Sequence, residues 1–171
     1  KAGFASTGAL NILKIIMNYE DLWLNIRVQG GAYGCMSGFS RNGDSYLSSY
    51  RDPNLWKTNE VFEGIPTYLH EFDVDERDMT KFIIGTMSML DTPLPPAPKG
   101  QRAMSAYLSG LTQDVVQKNR DEVLQATPAD IRALEPLVAS VLADDCLCVI
   151  GNEDMLEKEK DMFMNVEDLF A

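Results

Sequence analysis

Histidine is almost missing from this chain, and that absence excludes most metal and acid–base sites at once. Of 171 residues only one, His70, is a histidine. A zinc hydrolase helix needs two histidines a turn apart plus a distal acid, whereas His70 stands alone in Tyr68-Leu69-His70-Glu71. A Ser-His-Asp triad would need only one histidine, but no Gly-x-Ser-x-Gly elbow is present. His70 therefore reads as an ordinary helix-end residue. Cysteine is equally sparse. Cys35, Cys146 and Cys148 form an odd set, which makes no disulfide framework. Two thiols without further Cys or His partners are also a poor zinc site. All three are expected reduced, with Cys146 and Cys148 buried on the same face of a strand. No metal and no cofactor is expected in this chain.

Positive charge is also short. Lys and Arg number 15 against 26 Asp and Glu, for a net charge of −11. A nucleic-acid binder needs clustered cations to displace counterions from phosphates, and there is no such cluster. An acidic surface suits basic peptides, or is simply a solvated face. No apolar run approaches the roughly 20 residues that span a bilayer, and no charged-then-apolar leader opens the chain. The expectation is a soluble intracellular protein, in a bacterial cytoplasm or an organelle matrix, with neither nucleic acid nor membrane as partner. The chain opens Lys1-Ala2-Gly3-Phe4 without an initiator Met, as a piece cut from a longer protein or a processed end would.

What is present suffices for one domain over 1–171 with a sizeable core: 45% of residues are hydrophobic and 24% charged. Leu10, Leu13 and Met17 recur at helical spacing within 7–17, and Leu22, Trp23 and Ile26 mark a second helical stretch over 19–26. Gly30-Gly31 ends the pattern. Strands are expected over 32–39 and 45–51, joined through Asn42-Gly43 as an antiparallel hairpin. Asp52-Pro53 opens a helix that Pro66 should bend or shorten. Asp75 caps the next, with Met79, Phe82, Ile83, Met87 and Leu90 as its apolar stripe. A Pro-rich connection over 92–98 leads to helices over 99–109 and 112–125. Thr127-Pro128-Ala129-Asp130 is a strong helix start, although Pro136 lies inside the pattern that follows. A short buried strand over 146–150 and an acidic helix over 153–163 complete the chain. The class is α+β: a mostly antiparallel sheet with helices packed on one face.

The stretch Arg27-Val28-Gln29-Gly30-Gly31-Ala32-Tyr33-Gly34 admits two readings. Its glycines follow a helix rather than a strand, with no Lys-Ser/Thr pair after them, so phosphate binding fails on context. Gly30 and Gly31 are then a turn, Tyr33 a sheet-surface residue and Arg27 a helix-end cap. Alternatively Arg27 and Tyr33 form a donor pair. A guanidinium fork and a phenol six residues apart across a helix–strand junction suit a shared carbonyl oxygen, as in acyl transfer.

At these residues the chain resembles a known family. Leu24-Asn25-Ile26-Arg27-Val28-Gln29-Gly30-Gly31-Ala32-Tyr33-Gly34, followed by Ser48-Ser49-Tyr50-Arg51-Asp52-Pro53-Asn54-Leu55, is similar to the pitrilysin/insulinase zinc peptidases, in their presequence-protease branch. Ile83-Ile84-Gly85-Thr86, Lys99-Gly100, Tyr107-Leu108-Ser109-Gly110 and Val149-Ile150-Gly151 add to it, so the resemblance covers nearly the whole chain. It is to the last domain of a four-domain polypeptide that encloses peptides in a chamber. The resemblance implies a metallohydrolase-like fold, zinc held by an inverted His-x-x-Glu-His motif in the absent first domain, and short unstructured peptides as substrates. It also implies that Arg27 and Tyr33 hydrogen-bond the substrate near the scissile bond. The other domains of the same polypeptide would be its partners. Two alternatives stand beside this one: a non-catalytic scaffold or peptide-binding subunit of the same fold, and an independent small-ligand module with its own closed pocket.

Overall fold

The computed structural model describes residues 3–168. Its centre is a long helix. Helix α1 (Ala9–Ile16) continues without a break into two wider π-helical stretches, Met17–Asp21 and Trp23–Gln29. The two helical stretches expected from the sequence are thus one. Ile12, Leu13, Ile16, Met17, Leu22 and Ile26 on this helix are almost fully removed from solvent. Around it pack the hairpin strand β1 (Gly34–Phe39) and the helices α3 (Glu76–Leu90), α5 (Gln113–Leu124) and α6 (Pro128–Arg132). Ile65 and Leu69 of α2 (Trp56–His70), with Val123, Ile131 and Val138, join the same apolar cluster. Helix α7 (Glu135–Ala143) lies against α2, and His70 Nδ1 sits 3.0 Å from Glu135 Oε2 across that contact. Helix α4 (Pro96–Leu108) buries none of its residues, and α8 (Glu153–Lys158) leads into a 3-10 turn, Lys160–Met162.

The helix ends follow the sequence signals. Asp75 accepts from the Asp78 N–H at 2.9 Å, and Thr127 with Asp130 forms a reciprocal capping box. Pro136 is explained as well: it stands in the first turn of α7, where a missing N–H costs nothing, because the expected helix is divided into α6 and α7. Pro66, expected to bend or shorten α2, leaves it running to His70, anchored by the fully buried Ile65 and Leu69 on either side.

Two expectations need correction. The class α+β stands, but a mostly antiparallel sheet does not. Among the described residues the sheet is one hairpin, β1 paired antiparallel with β2 (Ser45–Tyr50) in the register Gly34↔Tyr50 to Phe39↔Ser45. The segment 146–150 is not a strand, and Cys146 and Cys148 are exposed rather than buried; only Cys35 is buried. The reason is that an extended segment becomes a strand only beside a partner. Between this segment and the outer edge of β2 lies an open groove of about 420 Å³, with Asn59 and Phe62 of α2 along it. A third, smaller correction concerns Asp52-Pro53. Asp52 does not cap α2, which starts at Trp56; its carboxylate accepts instead from the Asn54 N–H at 2.9 Å and the Thr58 hydroxyl at 2.7 Å.

Candidate functional site

The second π-helical stretch carries Trp23 and Arg27 on one side, and places the Arg27 guanidinium 4.8 Å from the centre of the Trp23 ring. π-turns inside helices recur at functional sites. The helix then stops abruptly. A Cβ on Gly30 would lie 2.5 Å from the Ile26 carbonyl oxygen, and Gly31 takes φ of +82°, so both glycines are required by the turn. The Ile26 and Arg27 carbonyls close it by accepting from the N–H groups of Ala32 and Gly31, each at 3.1 Å.

The turn delivers Tyr33 to the start of β1. Its N–H donates to the carbonyls of Tyr50 (3.0 Å) and Arg51 (3.3 Å), at the far end of β2. Asn54 reaches back and donates to the Gly30 carbonyl at 2.6 Å. The two sequence motifs, 24–34 and 48–55, are therefore one structural unit, although residues 35–47 lie between them.

Arg27 and Tyr33 meet on its surface. The guanidinium lies 5.5 Å from the Tyr33 ring centre, and its Nη1 donates to the Tyr33 carbonyl and to that of Ala32 at 3.4 Å. Tyr33 is 63% exposed, and Arg27 is half-buried. Neither is locked in the core, and Arg27 has no carboxylate within ion-pair distance among the described residues. The nearby acids are already occupied: Asp21 accepts from Asn25 at 2.9 Å and Asp52 from Asn54 and Thr58. Burial pushes the carboxyl of Asp21 above its ordinary range, with the Asn25 hydrogen bond opposing. Beneath the unit, burial likewise raises the Cys35 thiol, and the positive charge of Arg27 partly offsets this.

Arg51 is the residue that sequence reasoning did not single out. Its guanidinium stands 5.7 Å from the Tyr33 ring and 5.4 Å from the Tyr50 ring, and the two rings meet edge-on at 5.8 Å. Its backbone is left-handed, with φ of +48°. The available signal was its place in Ser49-Tyr50-Arg51-Asp52-Pro53, read only as part of a family motif.

The described residues do not suit a metal. No group of three or more His, Cys, Asp or Glu side chains converges among them, and the single histidine faces Glu135. None of the described helices is long and apolar enough to cross a membrane.

Comparison with known proteins gives the family. The family model for the PreP C-terminal domain matches residues 1–152, and the chain belongs to that family. Protein HypA of Clostridium perfringens is 42% identical over 165 residues, covering 96% of this chain and 17% of that protein. Presequence protease 1, chloroplastic/mitochondrial, of Arabidopsis thaliana is 36% identical over 132 residues, 76% of this chain and 12% of the relative. The mitochondrial presequence protease of Xenopus laevis is 31% identical over 123 residues, 72% of this chain and 12% of the relative. The chain thus spans less than a fifth of the length of these curated relatives, and corresponds to the C-terminal part of the presequence proteases.

Proposed function

We propose that this chain is the substrate-binding, chamber-forming C-terminal domain of a longer zinc-dependent peptide-degrading endopeptidase, with Arg27 and Tyr33 as its contribution to the reaction. The observation that carries the reading is the pair itself. A guanidinium and a phenol stand side by side at the surface, fixed by a turn that needs two glycines, and among the described residues no carboxylate pairs with the guanidinium. Among the described residues Nη1 is the only guanidinium nitrogen of Arg27 with a hydrogen-bond partner, and the Tyr33 hydroxyl has none. The free donors suit a peptide carbonyl whose oxygen gains charge as water adds to its carbon. In this reading zinc and the base that activates water belong to another part of the polypeptide; among the described residues no group of three or more His, Cys, Asp or Glu converges. Short unstructured peptides are the substrate class, and the remaining domains are the partners.

The open groove beside β2 supports the larger polypeptide. Both its walls have backbone groups without partners among the described residues: β2 pairs only with β1, and from 146 to 151 the one backbone bond is Leu147 N–H to the Asp145 carbonyl. In this reading a strand from elsewhere in the polypeptide fills it, pairing with both walls. Two relatives, named as chloroplastic/mitochondrial in Arabidopsis thaliana and mitochondrial in Xenopus laevis, support an organelle matrix as the location, or a bacterial cytoplasm for a bacterial protein.

The test is made in the longer enzyme. Arg27→Ala and Tyr33→Phe should each lower turnover on the order of a hundredfold, the usual loss for one oxyanion donor (about 3 kcal/mol), with zinc content unchanged. One observation favours a second reading, the non-catalytic scaffold: Arg27 already donates to the carbonyl of Tyr33 and so holds the turn. A scaffold role predicts a lower melting temperature for Arg27→Ala and normal turnover for Tyr33→Phe. That pair of results would refute the donor role.

A further inference from the structure

Five side chains of the motif unit form a continuous ladder in which rings and guanidiniums alternate. Trp23 touches Arg27, Arg27 touches Tyr33, Tyr33 touches Arg51, and Arg51 touches Tyr50. All three rings are at the surface, 43%, 63% and 51% exposed in that order. Two positive charges therefore share the neighbourhood of one phenol ring, in a protein of net charge −11.

Positive charges gathered around one ring are stabilised when something negative joins them. Nothing in the described chain does. With 26 acidic residues available, neither arginine has a carboxylate within ion-pair distance among the described residues. The two acids flanking the unit, Asp21 and Asp52, are bound instead by Asn25, Asn54 and Thr58. Other exposed arginines, such as Arg41 and Arg102, also lack ion pairs, but no ring holds them. Arg51 packs beside two rings, with no hydrogen-bond partner for its guanidinium among the described residues and all its donors free. Its backbone adds a second, independent observation. Position 51 is left-handed, at φ of +48°, where glycine would sit without steric cost and an arginine is strained. Among the described non-glycine residues only Asp145 shares this conformation, and strain of this kind recurs at ligand-binding positions.

We infer that Arg51 forms a carboxylate-binding subsite beside Tyr33, and that it orients the bound peptide by one of its carboxylates. A planar fork pre-set by aromatic packing matches a carboxylate with two parallel N–H···O bonds. The carboxylate comes from a peptide's C-terminus or from an acidic side chain; both have the same chemistry. An otherwise acidic surface repels a carboxylate elsewhere, so the subsite fixes which part of a peptide lies at the ladder. The inference rests on the proposed function only in taking a peptide as the ligand.

The test uses this chain, labelled with ¹⁵N, and three acetylated Ala/Leu hexapeptides: one with a free C-terminal carboxylate, the same peptide amidated, and an amidated one with a single internal Glu. NMR shifts of the Arg51 Nε–H and the Tyr33 amide report binding at the ladder. At least one carboxylate-bearing peptide should bind roughly tenfold more tightly than the neutral one, the scale of one charged hydrogen-bonded contact. Comparing the two carboxylate peptides identifies the source, and added salt should weaken both. Arg51→Gly relieves the strained backbone, so the fold is kept, and it should erase the preference. Equal binding of all three peptides, no shift at Arg51 with millimolar peptide, or a preference that survives Arg51→Gly would overturn the subsite. Turnover of the longer enzyme with Arg27→Ala and Tyr33→Phe tests the proposed function separately, so either can fail alone.

Discussion

Replacing Gly30 with alanine should destabilise the chain, and the size of the effect follows from one distance. The added Cβ would lie 2.5 Å from the Ile26 carbonyl oxygen and 3.0 Å from that of Asn25, where contacts under 3.0 Å do not persist. Something must move by at least about 0.5 Å. The Ile26 carbonyl is not free to do so: it accepts the Ala32 N–H at 3.1 Å, and its own side chain is 1% exposed in the core. Overpacking against a fixed group costs about 1–3 kcal/mol. Against this, alanine restricts the unfolded chain and returns about 0.4–1 kcal/mol. The clash wins, leaving a net loss of about 1–2 kcal/mol, or roughly 2–8 °C in melting temperature for a chain of this size. Gly64→Ala in α2 is the control of opposite sign. Its Cβ meets nothing within 4 Å, so the change should stabilise by about 0.5–1 kcal/mol. Thermal unfolding followed by circular dichroism measures both. If Gly30→Ala melts at or above the parent chain, the turn is not held as described, and the placement of Arg27 over Tyr33 loses its structural basis.

Two further outcomes follow from titration and exposure. Burial raises the Asp21 carboxyl in the folded state, so stability declines as pH rises from the unfolded carboxylate range through the folded one, and the penalty persists above it. Asp21→Asn keeps an acceptor for Asn25 and should melt higher than the parent at pH 7, with the gain shrinking below about pH 4; an equal gain at both would refute the cause. The thiols should divide by exposure: iodoacetamide should modify Cys146 and Cys148 rapidly and Cys35 slowly until the chain is denatured, since Cys35 is buried and its thiol is pushed up. Rapid modification of Cys35 in the folded chain would show that β1 does not pack as observed.

The helices were legible because their signals are local. Asp75, Thr112 and Thr127 each cap the helix that the sequence assigns to them, and the apolar stripe of Met79 and Phe82 is buried on α3. Pro128 and Pro136 each stand in a first turn, although only the first was readable as such; dividing the stretch into α6 and α7 needs the break at Ala133 and Leu134, which no residue type announces. The sheet was not legible in the same way. A short run of residues of high β propensity does not make a strand unless a second edge lies beside it. The 146–150 segment has the composition of a buried strand and lacks the neighbour, so Leu147 is left 38% and Ile150 77% exposed.

The same distinction explains why the candidate site takes shape even though the sheet is a single hairpin. Its contacts join 23–33 to 50–58, across one helix end, one hairpin and one loop, and every contact lies within about thirty-five positions. Closing loops of that length costs little more than closing shorter ones, because the entropy grows only with the logarithm of length. Gly31 sets the direction, the β1–β2 register brings Tyr50 and Arg51 beside Tyr33, and Asn54 ties the far loop to Gly30. Donor residues placed by such short-range geometry keep their positions whether or not more distant strands are in place. Under the proposed function that independence is useful, since a chamber could open without dismantling the pair. What the sequence could not show was Arg51. Its placement depends on a left-handed backbone and on two rings meeting edge-on, and neither is encoded in the identity of the residues beside it.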